Sequence, residues 1–388
     1  MKILHLSDGA LPDWRIEKSA MSASNFGHEV FFAGMPKSDN YNRKIFSRFC
    51  EVNWTPKAKL GLPVHWQSVK KQVERALREV RPDIVHAHDI FAANMMLSEF
   101  DTSFVYDNHE FWSRYSWILP EMIQMADSDH RSKGNIMQML LVDLPLRAKR
   151  TFKSRYAAKL WSRWEREVVS SKIPTITVSD KIAEGLVDMG GDANRIFVVP
   201  NFPLTKEVKD FQKPLFYPTL SSVYAGGDGL HKEKRPNRNI DGLTHIFMDR
   251  DVGRLTILGW EEEASANVTY KGFLSRREMF AEMFNHSIGL LPWKKHWTHY
   301  YSNPNKVYEY AHAGLFVMCT SSFETISATL KKNCVTFDDY DDLASQLQYF
   351  KENLDELYKR RLKIFEFARN ELTWEKYEKN IFRPYQLC

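Results

Sequence analysis

One cluster of candidate functional residues follows an apolar segment in the C-terminal half of the chain. Residues 287–318 read SIGLLPWKKHWTHYYSNPNKVYEYAHAGLFVM, which predicts a strand, a polar loop, a helix and a second strand. Asn303 and Pro304 predict the start of that helix, with Asn303 as its cap. A lysine in the first turn, Lys306, opposes the helix dipole, so it predicts either contact with a diphosphate or a solvated surface side chain. Glu309 could accept two hydrogen bonds from a ribose diol, or lie on the surface.

A glycine-rich turn followed by cations lies earlier in the same half of the chain. Residues 223–242 read VYAGGDGLHKEKRPNRNIDG, a short apolar strand that runs into Gly226 and Gly227. Glycine tolerates backbone angles that let a main chain approach a ligand closely. The cations that follow favour contact with a diphosphate, for which the forked guanidinium group is well shaped; they are Lys232, Lys234, Arg235 and Arg238. The alternative is a glycine turn with a solvated basic face.

Two strands predicted in the N-terminal half are associated with histidines: one histidine follows one of them, and a pair lies at the end of the other. His109 lies in VYDNHE, after a strand at 104–106, and is expected to face a cleft. A histidine there can exchange a proton or bind a hydroxyl group near neutral pH, and a structural role is the alternative. His86 and His88 would share one face of a strand at 83–87, as a pair of metal ligands does. No third ligand lies near them in the sequence, so we predict no metal site.

The composition is that of a globular protein and excludes several classes. The 388 residues are 43% hydrophobic and 27% charged, and the length predicts two or three domains. No apolar run could span a bilayer, and MKILHLSDGA predicts a strand and its turn rather than a secretory signal, so we expect a cytoplasmic protein. Four scattered cysteines predict reduced thiols. The net charge of +5 fits an anionic small molecule or an anionic membrane surface, and no nucleic-acid-reading module is visible.

Strand-like and helix-like segments alternate in two successive series, which predicts two doubly wound α/β domains that face a cleft. The first series has strands at 2–6, 29–33, 83–87, 104–106, 175–178 and 196–199, and the second at 221–224, 254–258, 267–270, 287–291 and 315–319. Prolines mark a joint near 200–218. We therefore expect an N-terminal domain at 1–202 and a C-terminal domain at 203–370. A final helix at 371–388, with Trp374, Tyr377 and Ile381 on one face, would cross back to the first domain.

A basic aromatic stretch at 144–168 reads LPLRAKRTFKSRYAAKLWSRWEREV. As a helix it would be amphipathic, because an apolar residue recurs every fourth position among arginines and lysines; these residues are Phe152, Tyr156, Leu160, Trp164 and Val168. Such a helix suits the surface of an anionic membrane. The alternative is that the apolar stripe packs on the N-terminal domain while the cations remain solvated.

Together these segments resemble the family-four class of GT-B glycosyltransferases, also described as glycosyl transferases group 1. The resemblance covers nearly the whole chain in order, from MKILHLSD through RPDIVHAHD, VYDNHE and FVVPN to VYAGGDGLHKEKR and NPNKVYEYAHAGLFV. It implies two Rossmann-like domains, with the acceptor on the N-terminal side and a UDP- or GDP-linked sugar on the C-terminal side. It also implies no required metal or cofactor, and transfer with retention of anomeric configuration to a glycan or lipid-linked acceptor.

The resemblance also assigns roles to particular residues. Arg235, with Lys232 or Lys234, matches the position that contacts the donor diphosphate, and Arg235 and Lys306 would stabilise the leaving group. Glu309 matches the ribose-binding glutamate, and the backbone of Phe273 and Leu274 the base-reading loop. His109 resembles a histidine that contacts the transferred sugar. The predicted donor contacts are completed by the first-strand loop, the glycine turn and the loop before the helix; their residues are Gly9, Gly226, Gly227, Ser302, Asn303 and Asn305.

One position departs from the family pattern. Many members carry a second glutamate eight positions before the ribose-binding one, where this chain has Tyr301. The acidic contact to the sugar is therefore missing or supplied by the 300–305 loop. Two alternatives to a transferase stay open: a nucleotide-sugar epimerase, which would need further acid–base residues around the donor, and a non-catalytic nucleotide- or carbohydrate-binding protein.

Overall fold

The computed structural model of the chain describes residues 1–35, 45–130, 144–226 and 235–388. Three of the predicted donor contacts, Gly227, Lys232 and Lys234, lie outside these ranges. The chain divides into two compact units. The first unit comprises residues 1–120, 136–200 and 377–388, and the second comprises residues 121–135 and 201–376.

The first unit is built on a parallel sheet of seven strands among the described residues. Their order across the sheet is β3-β2-β1-β4-β5-β6-β7. In chain order they are β1 Lys2–Ser7, β2 Glu29–Gly34, β3 Arg48–Glu51, β4 Ile84–His88, β5 Phe104–Asn108, β6 Thr175–Thr177 and β7 Ile196–Val198. The central strands β4 and β5 are buried along their whole length, as expected for a parallel sheet covered on both faces.

The second unit has a parallel sheet of six strands within the described ranges, in the order β10-β9-β8-β11-β12-β13. The strands are β8 Ser221–Ala225, β9 Arg254–Leu258, β10 Val268–Tyr270, β11 Ile288–Leu291, β12 Phe316–Thr320 and β13 Cys334–Phe337. The sequence did not predict β3 and β13. Both are four-residue strands at a sheet edge, and neither is buried along its whole length, so the apolar pattern that marks a central strand is weak there.

Helices connect most of the consecutive strands, as is usual for parallel topology, whereas residues 259–267 join β9 to β10 without a helix. Within the described residues they are α1 Trp14–Asn25, α2 Pro63–Val80, α3 Asp89–Glu99, α4 Trp112–Tyr115, α5 Ile118–His130, α6 Leu144–Ser170, α7 Asp180–Asp188, α8 Thr205–Val208, α9 Leu243–Asp249, α10 Arg276–Met283, α11 Lys306–His312, α12 Glu324–Leu330, α13 Tyr340–Glu352, α14 Leu354–Glu371 and α15 Lys379–Tyr385. The α2 helix illustrates how the local sequence sets the bounds and the buried face of a helix. Pro63 occupies its first position, Trp66, Val69 and Val73 are buried on one face, and Arg81 ends it in the left-handed conformation.

The strand order reverses once in each sheet, and this places the candidate sites. The reversal lies between β1 and β4 in the first unit, and between β8 and β11 in the second. In open parallel sheets, ligands bind beyond the carboxyl ends of the strands at such a reversal. The residues that follow these four strands therefore line the expected binding edge of each unit.

Two predicted helices differ from the structure. The stretch 371–388 is not one helix: Trp374 lies in a short 3₁₀ turn, Trp374–Lys376, which precedes α15. Residues 377–388 belong to the first unit, where the Tyr385 hydroxyl forms a hydrogen bond with His86 Nδ1. In α6, the apolar stripe is buried only in its C-terminal half, at Leu160, Trp164 and Val168, whereas Phe152 and Tyr156 are exposed.

Candidate functional site

Lys306 occupies an aromatic niche at the strand reversal of the second unit. Its ammonium group lies 5.0 Å from the ring centroids of both Tyr224, on β8, and Trp293, just after β11. Burial lowers the pKa of Lys306 to about 7; the nearby Arg238 acts in the same direction and Glu309 opposes it. Among the described residues, no carboxylate forms an ion pair with Lys306. The niche thus holds a cation that aromatic faces stabilise and that an anion would stabilise further.

Arg238 is the arginine that the structure brings next to Lys306. Its guanidinium group lies 5.2 Å from the Trp293 ring centroid, on a short 3₁₀ turn, Pro236–Arg238, which Arg235 precedes. The buried His299 fixes this turn, because its Nε2 bonds the backbone oxygen of Asn237 at 2.7 Å. Burial lowers the pKa of His299 to about 4, so the ring is neutral and donates from Nε2. The sequence included Arg238 among the cations that favour contact with a diphosphate, but the resemblance assigned the donor contact to Arg235, and His299 received no site role.

Glu309 is buried rather than exposed, and an arginine holds it. Arg276 Nη1 donates to Glu309 Oε1 at 2.7 Å, and the same guanidinium group pairs with Glu207 at 3.0 Å. The resemblance implies that Arg235, Lys306 and Glu309 all contact one nucleotide donor, so they should gather at one edge of the sheet. Lys306 and Glu309 are three residues apart in α11 and interact electrostatically, with Arg238 beside Lys306. Arg235 stands where the 3₁₀ turn begins.

The helix that carries Lys306 and Glu309 does not begin as predicted. The α11 helix starts at Lys306 and its capping residue is Asn305, so Asn303 is not the cap and Pro304 is not the first helical residue. Asn303 lies two residues before the actual cap, and its side-chain oxygen accepts a hydrogen bond from the Tyr308 hydroxyl. The Ser302 hydroxyl donates to the Thr298 carbonyl at 3.0 Å, so it completes the preceding turn.

The glycine at the end of β8 is required by its own neighbours. A Cβ atom at Gly226 would lie 2.7 Å from the Tyr224 ring, closer than packed atoms allow. Tyr224 in turn accepts a hydrogen bond from Trp293 Nε1 at 2.7 Å. The glycine therefore preserves the two rings that flank Lys306, in addition to any close approach of its backbone to a ligand.

The predicted base-reading loop follows β10. Gly272 has a φ of +53°, and a Cβ there would meet the Glu261 carboxylate at 2.7 Å. Phe273 is 82% exposed, and Leu274 is half-buried. Ser275 then caps α10 through a reciprocal pair of bonds with Glu278, which fixes the end of the loop. An exposed ring on a pinned loop can stack on a planar ligand.

His109 lies at the carboxyl edge of the first sheet, after β5, and contacts His88 at the end of β4, one of the two strands that flank the reversal. Burial disfavours its protonation, but Asp89 and Asp107 outweigh burial and raise the pKa of His109 to about 9. Asp107 is itself fixed as a carboxylate, since Arg15 donates to its Oδ1 from Nη2 at 2.6 Å and from Nε at 3.0 Å. His109 is therefore a cation at neutral pH. Gly9 follows β1 at the same edge, with its amide bonded to Ser7 Oγ at 3.0 Å.

A chain of hydrogen bonds fixes the tautomers of the histidines behind His109. Asp107 Oδ2 accepts from His86 Nε2 at 3.0 Å, so the neutral His86 accepts the Tyr385 hydroxyl at Nδ1, 2.6 Å away. His109 Nε2 donates to His88 Nδ1 at 3.1 Å, which leaves His88 Nε2 to donate to His5 Nδ1 at 2.9 Å. Burial lowers the pKa of both His88 and His5, in agreement with neutral rings.

These contacts bear on the possibility of a metal site. His5 brings a third imidazole to His86 and His88, a long-range contact that sequence spacing could not reveal, and His88, Asp107 and His109 form a second set. The rings of His5, His86 and His88 are stacked, with planes 18–22° apart, and hydrogen bonds already engage nitrogens of all three rings. Hydrogen bonding accounts for these histidines better than ligation does.

Comparison with known proteins agrees with this architecture. A glycosyl transferase 4-like domain matches residues 23–201, and a glycosyl transferase-like domain matches residues 238–381. Comparison with curated proteins yields no match.

Several solved structures share the fold over their full length. A sucrose-phosphate synthase from Thermosynechococcus elongatus has a TM-score of 0.69 at 11% identity, over 100% of this chain and 99% of its own. Anabaena Alr3699/HepE in complex with UDP-glucose has a TM-score of 0.65 at 10% identity over 100% of both chains. The lipopolysaccharide outer core galactosyltransferase WaaB has a TM-score of 0.56 at 14% identity over 99% of both. Both matched domains are glycosyltransferase domains, and both units have the doubly wound architecture. The chain therefore belongs to the group 1 glycosyltransferases of GT-B fold.

Proposed function

We propose that this glycosyltransferase takes its sugar from a nucleoside diphosphate donor that binds the second unit at the strand reversal. The observation that carries the proposal is the position of Lys306, a partly desolvated cation between Tyr224 and Trp293 with Arg238 beside it. Such a site gains most from a ligand with concentrated negative charge, because bound anions offset both the burial and the repulsion between the two cations. A diphosphate is the chemical group that fits.

The remaining donor contacts follow from the neighbouring residues. Glu309 would accept the ribose hydroxyls, and the loop with Phe273 and Leu274 would receive the base. Arg235, directly before the turn that carries Arg238, would extend the cationic surface along the diphosphate. The complex of HepE with UDP-glucose supports a uridine donor for that relative and makes UDP-sugars the first donors to test here.

The proposed chemistry is transfer with retention. The acceptor oxygen would bond to the anomeric carbon on the face from which the diphosphate departs, and its proton would pass to the leaving phosphate oxygen. Lys306 and Arg238 would stabilise the charge that develops on that oxygen, and stabilisation of this kind supplies much of the rate enhancement in many enzymes. His109, held as a cation by Asp89 and Asp107, would donate a hydrogen bond to a sugar hydroxyl rather than act as a base.

The function is tested by incubating the protein with UDP- and GDP-linked sugars and following the release of nucleoside diphosphate with and without hydroxyl acceptors. We expect acceptor-stimulated release from one class of donor, unaffected by EDTA, and an NMR-determined anomeric configuration that matches the donor. Lys306→Met should reduce release by about a hundredfold, as loss of a transition-state charge contact does. The exposed Lys332→Met is the matched control. Interconversion of donor sugars without transfer would instead identify an epimerase, and binding without turnover a carbohydrate-binding protein.

We further propose that the N-terminal half of α6 docks on an anionic membrane, where a lipid-linked acceptor would reside. Phe152 is 75% exposed and Tyr156 is 46% exposed, one helical turn apart. Lys149, Arg155 and Lys159 are exposed and share that face by helical periodicity; together with the two rings they form the basic aromatic face. Among the described residues, no helix is long and apolar enough to cross a bilayer.

Vesicle sedimentation tests the basic aromatic face. Wild-type protein should sediment with phosphatidylglycerol-containing vesicles at low salt and be released by salt. Lys149→Glu with Arg155→Glu should weaken sedimentation by at least about tenfold, since each cation near the surface contributes about 1 kcal/mol. Phe152→Ala should weaken it without any change in charge. Arg150→Glu, about 160° around the helix from Phe152, is the control and should lose far less. Equal losses in all variants, or no sedimentation of the wild type, would contradict docking by this face.

A further inference from the structure

We infer that Arg276 is a positioning residue for nucleotide recognition: it holds Glu309 so that one carboxylate oxygen is left for the ribose. The inference rests on the proposed function and deepens it, because it names a side chain that determines how the donor is distinguished from nucleotides with an altered ribose. The sequence resemblance assigned Arg276 no role, since the residue lies at the start of a helix rather than at a strand end.

The geometry separates the two oxygens of Glu309. Arg276 Nη1 donates to Oε1 at 2.7 Å, and the described residues provide no hydrogen bond to Oε2. The carboxylate is nearly buried, with 10% of its side chain exposed. A buried carboxylate with a single fixed donor can rotate or withdraw less than a solvated one, so Oε2 keeps one direction. A ribose hydroxyl is a donor of the kind that such an oxygen lacks.

Arg276 is itself fixed from two sides, which is why it can act as a support. Its Nε and Nη2 atoms contact Glu207 Oε1 at 3.1 and 3.0 Å, and its guanidinium group lies 4.7 Å from the Phe280 ring centroid. Glu207 is held in turn, because its Oε2 accepts the backbone amide of Leu204 at 2.8 Å. The planar fork of arginine is needed to reach both carboxylates at once, and the single ammonium of lysine cannot reproduce it.

The position of Arg276 also connects two parts of the donor site. It is the first residue of α10, directly after the loop that carries Phe273, Leu274 and the capping Ser275. Arg276, whose side chain orients Glu309, therefore directly follows the proposed base-binding loop in the chain. A shift of that loop would move Arg276, and through it Glu309.

The experiment compares the dissociation constants of UDP and 2′-deoxy-UDP, and of GDP and 2′-deoxy-GDP, by isothermal titration. Wild-type protein should bind the preferred ribonucleotide at least about tenfold more tightly than its deoxy form, as expected for a hydrogen bond to a charged group. In Arg276→Gln this ratio should fall to about two or less, as it should in Glu309→Gln. Arg276→Lys should recover little of it. Arg277→Gln, which changes the adjacent exposed arginine, should keep the wild-type ratio.

Non-additivity provides the decisive comparison. If Arg276 acts through Glu309, the double variant Arg276→Gln/Glu309→Gln should discriminate no worse than Glu309→Gln alone. Thermal melting would identify any variant that fails to fold. If Arg276→Gln fails to fold, the ratio is measured in Arg276→Lys, which keeps the charge. A wild-type ratio retained in Arg276→Gln and Arg276→Lys, with or without weaker overall affinity, would overturn the inference. A wild-type protein that binds no nucleoside diphosphate would overturn the proposed function, and the inference with it.

Discussion

Lys306 is the residue whose electrostatics most restrict what can bind the second unit. Its pKa of about 7 means that roughly half of the molecules carry the charge at neutral pH in the absence of a ligand. Burial and Arg238 disfavour the cation, and a bound diphosphate would reverse the balance. Ligand binding and protonation of Lys306 should therefore be linked.

The linkage has a defined sign. Well below its pKa of about 7, Lys306 is protonated with or without the ligand, so it contributes its full attraction to the anion; as pH rises above 7, the free protein loses a proton that the complex retains, and this contribution to the affinity falls. Titration of UDP calorimetrically at pH 8, in two buffers of different ionisation enthalpy, should show uptake of nearly one proton. Lys306→Met should abolish both the uptake and the decline between pH 7 and 9, and Lys332→Met should preserve them. A pH-independent affinity in the wild type would contradict the coupling.

The sequence could identify some of these residues and not others, for a physical reason. Lys306 and Glu309 stand in a strand–loop–helix pattern, so their place at the sheet edge follows from local periodicity. Arg276 and His5 act through contacts with residues 33 and 83 positions away, respectively, and no local pattern encodes such pairs. His299, which holds the turn that carries Arg238, is likewise recognisable only from the folded structure.

At the scale of elements, α6 also has a structural role, which depends on a buried residue rather than on its basic surface. Its buried Glu165 accepts hydrogen bonds on Oε1 from the Tyr106 hydroxyl at 3.0 Å and from Asn108 Nδ2 at 2.8 Å. The same carboxylate accepts the backbone amides of Trp112 and Ser113, at 3.2 and 2.6 Å. One side chain of α6 thus joins the end of β5, next to His109, to the start of α4.

Removal of the Glu165 carboxylate should destabilise the contact of α6 with β5 and α4. Glu165→Ala leaves buried donors around β5 and α4 without their acceptor, and we expect a loss of about 3 kcal/mol in the free energy of unfolding. Chemical denaturation monitored by circular dichroism measures the loss. Glu167→Ala is the control, because its exposed carboxylate pairs with Arg163 on the same helix at 3.4 Å, and it should cost less than about 0.5 kcal/mol. Equal effects of the two substitutions would show that the buried hydrogen bonds contribute nothing specific.

Element boundaries were the least predictable part of the fold. The proline at 304 predicted a helix start two residues early, because local sequence does not show that the Asn303 side chain is engaged by the Tyr308 hydroxyl. In α6 the four-residue apolar period is real, yet burial stops before Tyr156. Periodicity identifies a face, but only the neighbouring elements determine how much of that face is covered.

For the whole molecule, the alternation of strands and helices was sufficient to predict two doubly wound sheets. The buried central strands carry nearly continuous apolar runs that the sequence shows directly, for example at β11 and β12. The order of the strands, and with it the position of each reversal, emerges only from the pairing of distant segments. The family assignment now rests on that order as well as on the two matched domains.

The return of residues 377–388 to the first unit has a consequence for how the protein is made. Within that unit Glu378 accepts the Ser22 hydroxyl at 2.7 Å, the Phe382 ring lies 4.1 Å from that of Phe26, and Tyr385 reaches His86. A ribosome that has translated the chain as far as residue 200 has therefore produced a unit that still lacks these partners, and it must add residues 201–376 before it synthesises them. Completion of the N-terminal unit is thus deferred until the second unit has been synthesised.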